Sequence, residues 1–575
     1  MTEGAVGAAG TASGAPDRRG GRFDAIVVGA GHNGLVAAAY LARAGLDVVV
    51  LERAATIGGA TRSEEVFPGF RFSVFSYLVS LLRPEVIHEL DLVRHGLFLV
   101  PTASTLNPLP GGDCLFREAD PQRTYHHIAR HSRRDAEALP EYKLEMRRMG
   151  HLMFRLQRAA PDELAAAIGD HVGEGAESLQ IDVAAEVADI ARYFLDLPAA
   201  RLRTFVQMLT MSSADFLGQW FECDVLKAAL SSSSIIGSML SPRTPGSAYV
   251  LLHHYMGEVD GVYREWGFQK GGTGAVAATI ASAACSYGAE IHTDCPVARV
   301  LTRDGRATGV ALANGDELAT DVVVSSAAPQ ISLGGLLDPE DIPGEAGAAL
   351  VDRATRWQSR GCAGKVNLAL DGPPRFECMP EPGPHLAGGI TIAPGLDYVD
   401  RAYDDAKYGG FSKRPFIDTI IPSVLDPDMA PPGKHVLSCF VQYAPYELAE
   451  GAWDDQRREA FGDAVVRTLS EYAPGIEDQV LHRQVLVPPD IEAIAGIPGG
   501  NIFHGELRLS QLFLLRPDPA AAAFRTPVPG YYLCGSSTQF GGGISGGPAR
   551  LAALRVLDDL RRSETAGSGR GAEIP

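Results

Sequence analysis

The chain has 575 residues, 46% of them hydrophobic and 21% charged, a globular composition long enough for about two to four domains. Its 51 Lys and Arg against 70 Asp and Glu leave a formal charge of −19. That sign excludes attachment to nucleic acid through counterion release and disfavours an anionic membrane surface.

The eight cysteines contain no C-x-x-C pair, which excludes a redox dithiol and a zinc ribbon, and no metal site is expected. Residues 1–22, "MTEGAVGAAGTASGAPDRRGGR", have no apolar centre and read as a disordered leader rather than a signal peptide. No run of 18 apolar residues occurs, so no transmembrane segment is expected. Peripheral membrane contact and oligomeric state stay open. Cytoplasmic location is the expectation, with a mitochondrial matrix only for a eukaryotic relative.

The first element is "DAIVVGAGHNGLVAAAYLARAGLDVVVLE", Asp24 to Glu52. Ala25 to Val28 reads as a strand buried on both faces. Gly29, Gly31 and Gly34 then spell G-x-G-x-x-G: a sharp turn, a close backbone approach to a diphosphate, and tight helix packing. The helix is expected over about 33–44, stopped by Gly45. Its N-terminus offers free N–H groups and partial positive charge to a diphosphate. The second strand ends in Glu52, whose carboxylate suits a ribose and repels a 2′-phosphate, so NADP is the poorest occupant. Arg53 directly follows, and Gly58, Gly59 and Arg62 add a second glycine pair and an arginine for the same diphosphate.

Taken together, "GAGHNGLVAAAYLARAGLDVVVLERAATIGGATR" resembles the FAD-binding start of the family of amine oxidases and phytoene desaturases. Two more segments carry the likeness: Gly271 to Pro329, and "GYYLCGSSTQFGGGISGGPARLAALRVLDDL" near the C-terminus. The resemblance implies that FAD lies extended along all three. Val297 would hold the adenine, Gly535 and Ser536 the diphosphate and ribityl chain, and Gly543 and Ile544 the isoalloxazine end. Within the family, "FECDVLKAALSSSSIIGSMLSPRTPGSAYVLLHHYMGEVDG" and "GIPGGNIFHGELRLSQLFLLRP" resemble a phytoene desaturase-like branch related to a type of carotenoid ketolase. Gly272, Gly274 and Ala277 spell G-x-G-x-x-A, but the preceding "VYREWGFQK" is no buried parallel strand, and a plain helix start is expected there.

The expected fold is α/β: a Rossmann-type FAD-binding domain of the amine oxidase and phytoene desaturase kind, built from 23–100, 265–330 and 490–562. An α+β substrate domain is inserted as 101–264 and 331–489, and 563–575 reads as a disordered tail. The inserts contain helical signals such as "AEVADIARYFLDL" and the strand-like runs "GKVNLALDG", "RPFIDTIIP" and "HVLSCFVQYAPY".

For chemistry, the resemblance points to Lys365, which in amine oxidase-like relatives holds a water against flavin N5; the alternative is an edge-strand lysine in solvent. His504 precedes the last cofactor segment and is a candidate for the seam between domains. The pairs His126-His127 and His253-His254, read as strand neighbours, would point apart and chelate poorly. Trp220, Phe221, Trp266 and Phe268 are candidate pocket walls, although core packing serves each equally well. The leading functional reading is an FAD-dependent oxidoreductase that abstracts hydride from a small apolar substrate, reoxidised by O2 or a quinone. An FAD-stabilised regulatory protein is the alternative. A flavin amine oxidase is third, disfavoured by Ile544 where an aromatic cage residue is expected.

Overall fold

The computed structural model describes residues 10–16, 21–102, 104–158, 192, 197–259, 261–344, 347–539 and 541–568. Short, wholly buried runs of β-branched residues build its first sheet. Ala25–Val28 and Val48–Leu51 are buried at every position, as a parallel strand covered on both faces must be. The six-stranded order is Thr11–Ser13, Glu290–Thr293, Val48–Leu51, Ala25–Val28, Val323–Ser325, Tyr531–Leu533, all parallel. Strands distant in sequence thus become neighbours, as the three separate cofactor segments require.

One face of this sheet is covered by the helices His32–Arg43, Thr273–Ser286 and Gly547–Ser568. Their alanine-rich contact surfaces let the helices approach the strands closely. The other face packs on a three-stranded antiparallel sheet, Val297–Arg303, Arg306–Leu312 and Glu317–Ala319, through Ile26, Val49, Val300 and Val310.

The second large sheet has seven strands in the order Val480–Leu486, Ala363–Leu370, His435–Gln442, Phe416–Ile420, Gly389–Ile392, Ser104–Pro108, Cys114–Glu118. It is antiparallel except where Gly389–Ile392 runs alongside Ser104–Pro108. The three strand-like runs of the inserts all fall here. Alternation along the strands gives the sheet two faces. Val366, Leu368, Cys439 and Val441 pack under the helix Asp455–Ser470 through Phe461, Val465 and Leu469. Lys365, Phe440, Asp418 and Thr391 share one cross-strand row on the opposite face. Beyond that face lies a helical layer, including Arg133–Leu156, Asp224–Ser231 and Ser247–His253.

Three expectations need correction. The leader is not wholly disordered: Thr11–Ser13 adds an edge strand to the first sheet, with Gly14 N–H donating to the Thr293 carbonyl at 2.8 Å. Backbone groups left open on Glu290–Thr293 recruit it, whatever its side chains. The tail is helical through Ser568, its hydroxyls at Ser563 and Thr565 bonding back to the Leu560 and Arg561 carbonyls. Neither histidine pair lies on a strand: His126 and His127 lie in the last turn of Pro121–Ala129, and His253 ends Ser247–His253 with His254 as its C-cap. The expected helix "AEVADIARYFLDL" lies outside the described residues, except Arg192 and Leu197.

Candidate functional site

The first part of the site is the turn from Ala25–Val28 into His32–Arg43. Gly29 has φ +93°, and a Cβ on Gly34 would stand 1.9 Å from the Gly29 carbonyl oxygen, so both positions demand glycine. Gly31 differs: a Cβ there would meet nothing within 4 Å. It borders open space at a helix N-terminus that no side chain caps. Gly58 bridges to Gly31, and Gly59 lies beside it, a Cβ there falling 3.5 Å from the Gly31 Cα. Two glycine turns from separate segments therefore face one cradle of backbone, the arrangement that receives a diphosphate.

Glu52 ends its strand with Oε2 accepting from Ala30 N–H at 2.7 Å and Oε1 from Ala54 N–H at 2.9 Å. The carboxylate is thereby fixed at the mouth of the turn, with lone pairs left for ribose hydroxyls. Val297 opens its strand opposite Leu312, half-buried. The two arginines have other partners. Arg53 is exposed and donates to the Ala493 carbonyl at 3.3 Å, while Arg62 pairs with Glu64 at 2.8 Å and donates to Thr56.

The second part is the C-terminal glycine loop. A Cβ on Gly535 would stand 2.3 Å from the Ser326 carbonyl oxygen, one on Gly542 2.3 Å from Phe503, and one on Gly543 2.5 Å from Leu81. The loop is wedged between sheet and helical layer with no room for side chains. Ser536 hydroxyl accepts from Asn33 Nδ2 at 3.1 Å, which joins this loop to the first glycine turn. Asn33 Oδ1 and His32 Nε2 are buried without protein partners. Orphaned polar atoms between two glycine loops fit a polyhydroxylated, phosphorylated ligand that would satisfy them. FAD fits the donor set. Ile544, however, is buried in the core with Val79, Leu82 and Val86, so its side chain cannot serve as a wall against substrate.

Arg516 was not found from sequence, yet its side chain is the largest that is fully buried. Its guanidinium donates only to carbonyls: Phe503 at 2.7 Å, Ser536 at 2.9 Å, Thr538 at 3.1 Å, Gln511 at 3.3 Å and Glu506 at 3.5 Å. Burial lowers its pKa to about 10, so it stays charged at neutral pH. A single arginine in the apolar run "LSQLFLLRP" was the available signal.

His504 stands beside this arginine with φ +54° and a buried, unpaired Nδ1; its carbonyl accepts from Trp357 Nε1 at 2.9 Å. Asn501 Oδ1 holds the turn by accepting from the Phe503 and Gly505 N–H groups. Burial pushes His504 down to about 3 and His32 to about 4, and lowers His253 well below its usual value. These rings are neutral at physiological pH. His253 and His254 both lie against Phe503, and His254 stacks on Trp266 at 6.0 Å.

Lys365 is no edge-strand residue. Strands flank Ala363–Leu370 on both sides, the side chain is 2% exposed, and Nζ lies 4.0 Å from the Tyr77 ring centroid without a hydrogen-bond partner. Burial pushes its pKa down to about 7, against the upward pull of Cys439 and Asp418. Tyr77 OH donates to Asp418 at 2.6 Å and Thr391 Oγ1 donates to its other oxygen at 2.7 Å. Lys365 belongs to the sheet face, and His504 to the turn held by Asn501 beside Arg516.

Between that face and the helical layer lies a cavity of about 680 Å³, a size suited to a small ligand. Leu78, Ile236 and Phe416 give it an apolar side, while Arg117, Lys143 and Arg264 give it a cationic one. Of the four aromatic wall candidates only Trp266 lines it; Trp220 and Phe221 pack on Tyr142, and Phe268 is fully buried. Leu78 borders the cavity and Leu81 abuts Gly543. Three residues of chain span at most about 11 Å, which bounds the distance from the cavity wall at Leu78 to the backbone of Leu81. The Gly272-Gly274 turn holds no second nucleotide cradle, since the N–H groups of Thr273 and Gly274 donate to Ser73 and Ser63 at 3.1 and 2.9 Å.

The model of the family described as flavin containing amine oxidoreductase matches residues 34–556. Pyridine nucleotide-disulfide oxidoreductase domain-containing protein 2 of Rattus norvegicus is 41% identical over 557 residues, covering 94% of both chains. A limonene dehydrogenase component of Castellaniella defragrans is 26% identical, covering 93% of this chain and 95% of its own. Among solved structures, wild-type putrescine oxidase bound to putrescine superposes with a TM-score of 0.55 at 16% identity, covering 94% of this chain and 99% of that one, a likeness of fold. The match runs from Gly34, at the end of the first glycine turn, through the inserted sheet to the C-terminal glycine loop: the chain belongs to the flavin containing amine oxidoreductase family and is an FAD-dependent oxidoreductase.

Proposed function

We propose that the protein is a dehydrogenase of an apolar substrate, taking hydride from a carbon in the 680 Å³ cavity and passing electrons to a quinone or O2. The observation that carries this reading is the cavity itself, with an apolar side built from Leu78, Ile236 and Phe416. Gly31, Gly58 and Gly59 would hold the diphosphate of FAD, Glu52 its ribose and Val297 its adenine. Gly535, Ser536 and Gly543 would hold the ribityl and ring end through backbone and hydroxyl. Bound there, FAD supplies the hydride acceptor.

The remaining residues orient the substrate and exclude water. Arg516 keeps the glycine loop rigid from behind, by five carbonyls rather than by a carboxylate that would cancel its charge. The neutral rings of His253 and His504 fill the space around that loop without adding charge. Lys365, near pKa 7, can hold or release a proton at Nζ beside Tyr77.

Two further points support an apolar substrate over an amine. The relative from Castellaniella defragrans carries a hydrocarbon, limonene, in its name and is related over nearly the whole chain. An ammonium group would face Arg117, Lys143 and Arg264 in the cavity, a like-charge encounter. This replaces the sequence argument from Ile544, whose side chain is in the core.

The test is anaerobic reduction of the purified flavoprotein by a panel of terpenes, fatty-chain acids and amines, followed by reoxidation with O2 or a soluble quinone. Bleaching of the flavin by a terpene or a fatty-chain acid and recovery with quinone is the expected result. Hydrogen peroxide release with amines and no bleaching by any terpene or fatty-chain acid would overturn the reading.

A further inference from the structure

The cationic side of the cavity is not needed to hold a hydrocarbon. Arg117, Lys143, Arg147 and Arg264 converge on it from the strand Cys114–Glu118, the helix Arg133–Leu156 and the hairpin Glu258–Val259/Val262–Tyr263. Among the described residues none of the four forms an ion pair, although the chain carries 70 acidic residues. Arg117 has one long hydrogen bond, to Asn107 Oδ1 at 3.5 Å, and its buried Nε has none. Arg264, at φ +62°, lays its guanidinium over the Tyr255 ring at 4.1 Å. Lys143 and Arg147 stand four apart on one helix face, a like-charge spacing that weakens a helix. Arg117 is pulled down to about 10 by burial and then by Arg264, and Lys143 is lowered by burial, Arg117 and Arg264.

The carboxylates that share the cavity form no ion pair with the group. Asp418 attracts Arg117 from a distance but accepts its hydrogen bonds from Tyr77 and Thr391, and Glu118 pairs outward with Arg123 at 3.4 Å. Glu265 is raised by burial alone, without a cation close enough to lower it. Two half-buried guanidinium groups, with exposed Lys143 and Arg147 at the rim and no ion-pair partner among them, are stabilised when an anion enters.

We propose that the substrate carries an oxyanion headgroup, a carboxylate or a phosphate monoester, held by Arg117 and Arg264 with Lys143 at the mouth, and that its apolar remainder points past Leu78 and Ile236 to the glycine loop. The assignment rests on the reading of this cavity as the substrate site. It sets the substrate's polarity: anionic head outward, oxidisable hydrocarbon inward. The headgroup fixes the register of the chain, and with it which carbon reaches the reacting end.

Calorimetric titration of the FAD-loaded protein with decanoate, decyl phosphate, decanol and decylamine tests this. The expected result is binding of decanoate or decyl phosphate, the tighter of the two naming the oxyanion, with decanol and decylamine at least about tenfold weaker. Arg117→Gln is expected to weaken the anion by a further factor of about ten, Arg117→Lys by less, and the exposed Lys143→Gln by a few-fold at low salt. Visible flavin absorbance shows in each sample that the variant is folded and loaded. Equal binding of decanol and decanoate, preference for decylamine, or affinities untouched in both the Arg117→Gln and Lys143→Gln proteins would overturn the assignment. Binding is read without turnover, so a protein that selects the anion through Arg117 but dehydrogenates no terpene or fatty chain would sink the proposed reaction and leave this assignment standing.

Discussion

Asn33 Nδ2 donates to Ser536 Oγ at 3.1 Å, a buried hydrogen bond between residues 503 positions apart. It ties the first glycine turn to the last glycine loop where one extended cofactor would touch both. Replacing Asn33 with Ala is expected to cost about 1 kcal/mol of stability and to speed FAD loss, because both loops lose their register. Flavin released per mole on gel filtration, compared with wild type, checks this.

Gly31 and Gly34 give opposite expectations for one substitution. Gly34→Ala drives a methyl into the Gly29 carbonyl, and the protein is expected to fail to fold or to lose more than about 3 kcal/mol. Gly31→Ala meets no protein atom, and φ there is −67°. It should leave the apoprotein's thermal midpoint within about 2 °C while lowering FAD affinity about tenfold or more, since the methyl occupies the cradle. Equal FAD retention in Gly31→Ala would remove the diphosphate from this turn.

Lys365 makes stability depend on alkaline pH. Its folded pKa, about 7, lies below the ordinary lysine value of about 10.4. Between those values the unfolded chain binds more protons, so stability rises with pH through that window and levels off above it. Lys365→Met should remove that slope and stabilise the protein at pH 7 by about 2–4 kcal/mol. Urea midpoints from pH 7 to 10 would show a flat profile for the variant against a rising one for wild type.

The buried histidines act at the acid end. With His32 and His254 near 4 and His504 near 3, the unfolded chain takes up protons first as pH falls below about 6.5. Stability is then lost progressively toward pH 4, by up to about 3 kcal/mol per ring. His504→Gln should lose less stability over that interval than wild type, measured by thermal midpoints at matched ionic strength.

The glycine signatures were legible because their chemistry is local: Gly29 turns, Gly34 packs, and both facts concern residues a few positions away. Glu52, Gly58 and Gly543 were reached by the same local logic or by family likeness; the structure sets Gly58 beside Gly31 and Gly543 against Leu81. Arg516 escaped because its meaning lies in carbonyls from several loops that converge only after folding. The cationic side of the cavity escaped for the same reason, since Arg117, Lys143 and Arg264 come from a strand, a helix and a hairpin. Thr11–Ser13 shows the limit from another side: its strand is dictated by an open sheet edge, not by the Gly/Ala-rich composition around it.

The seven-stranded sheet separates two duties by the alternation of its side chains. Val366, Leu368 and Val441 anchor it to the helix Asp455–Ser470, while Asp418 and Thr391, in the same cross-strand row as Lys365, line the cavity. A change at 391 or 418 therefore alters what the cavity admits without disturbing the apolar layer behind it. Such a sheet is a fixed floor under a replaceable surface, and redesign of selectivity can begin at every second residue.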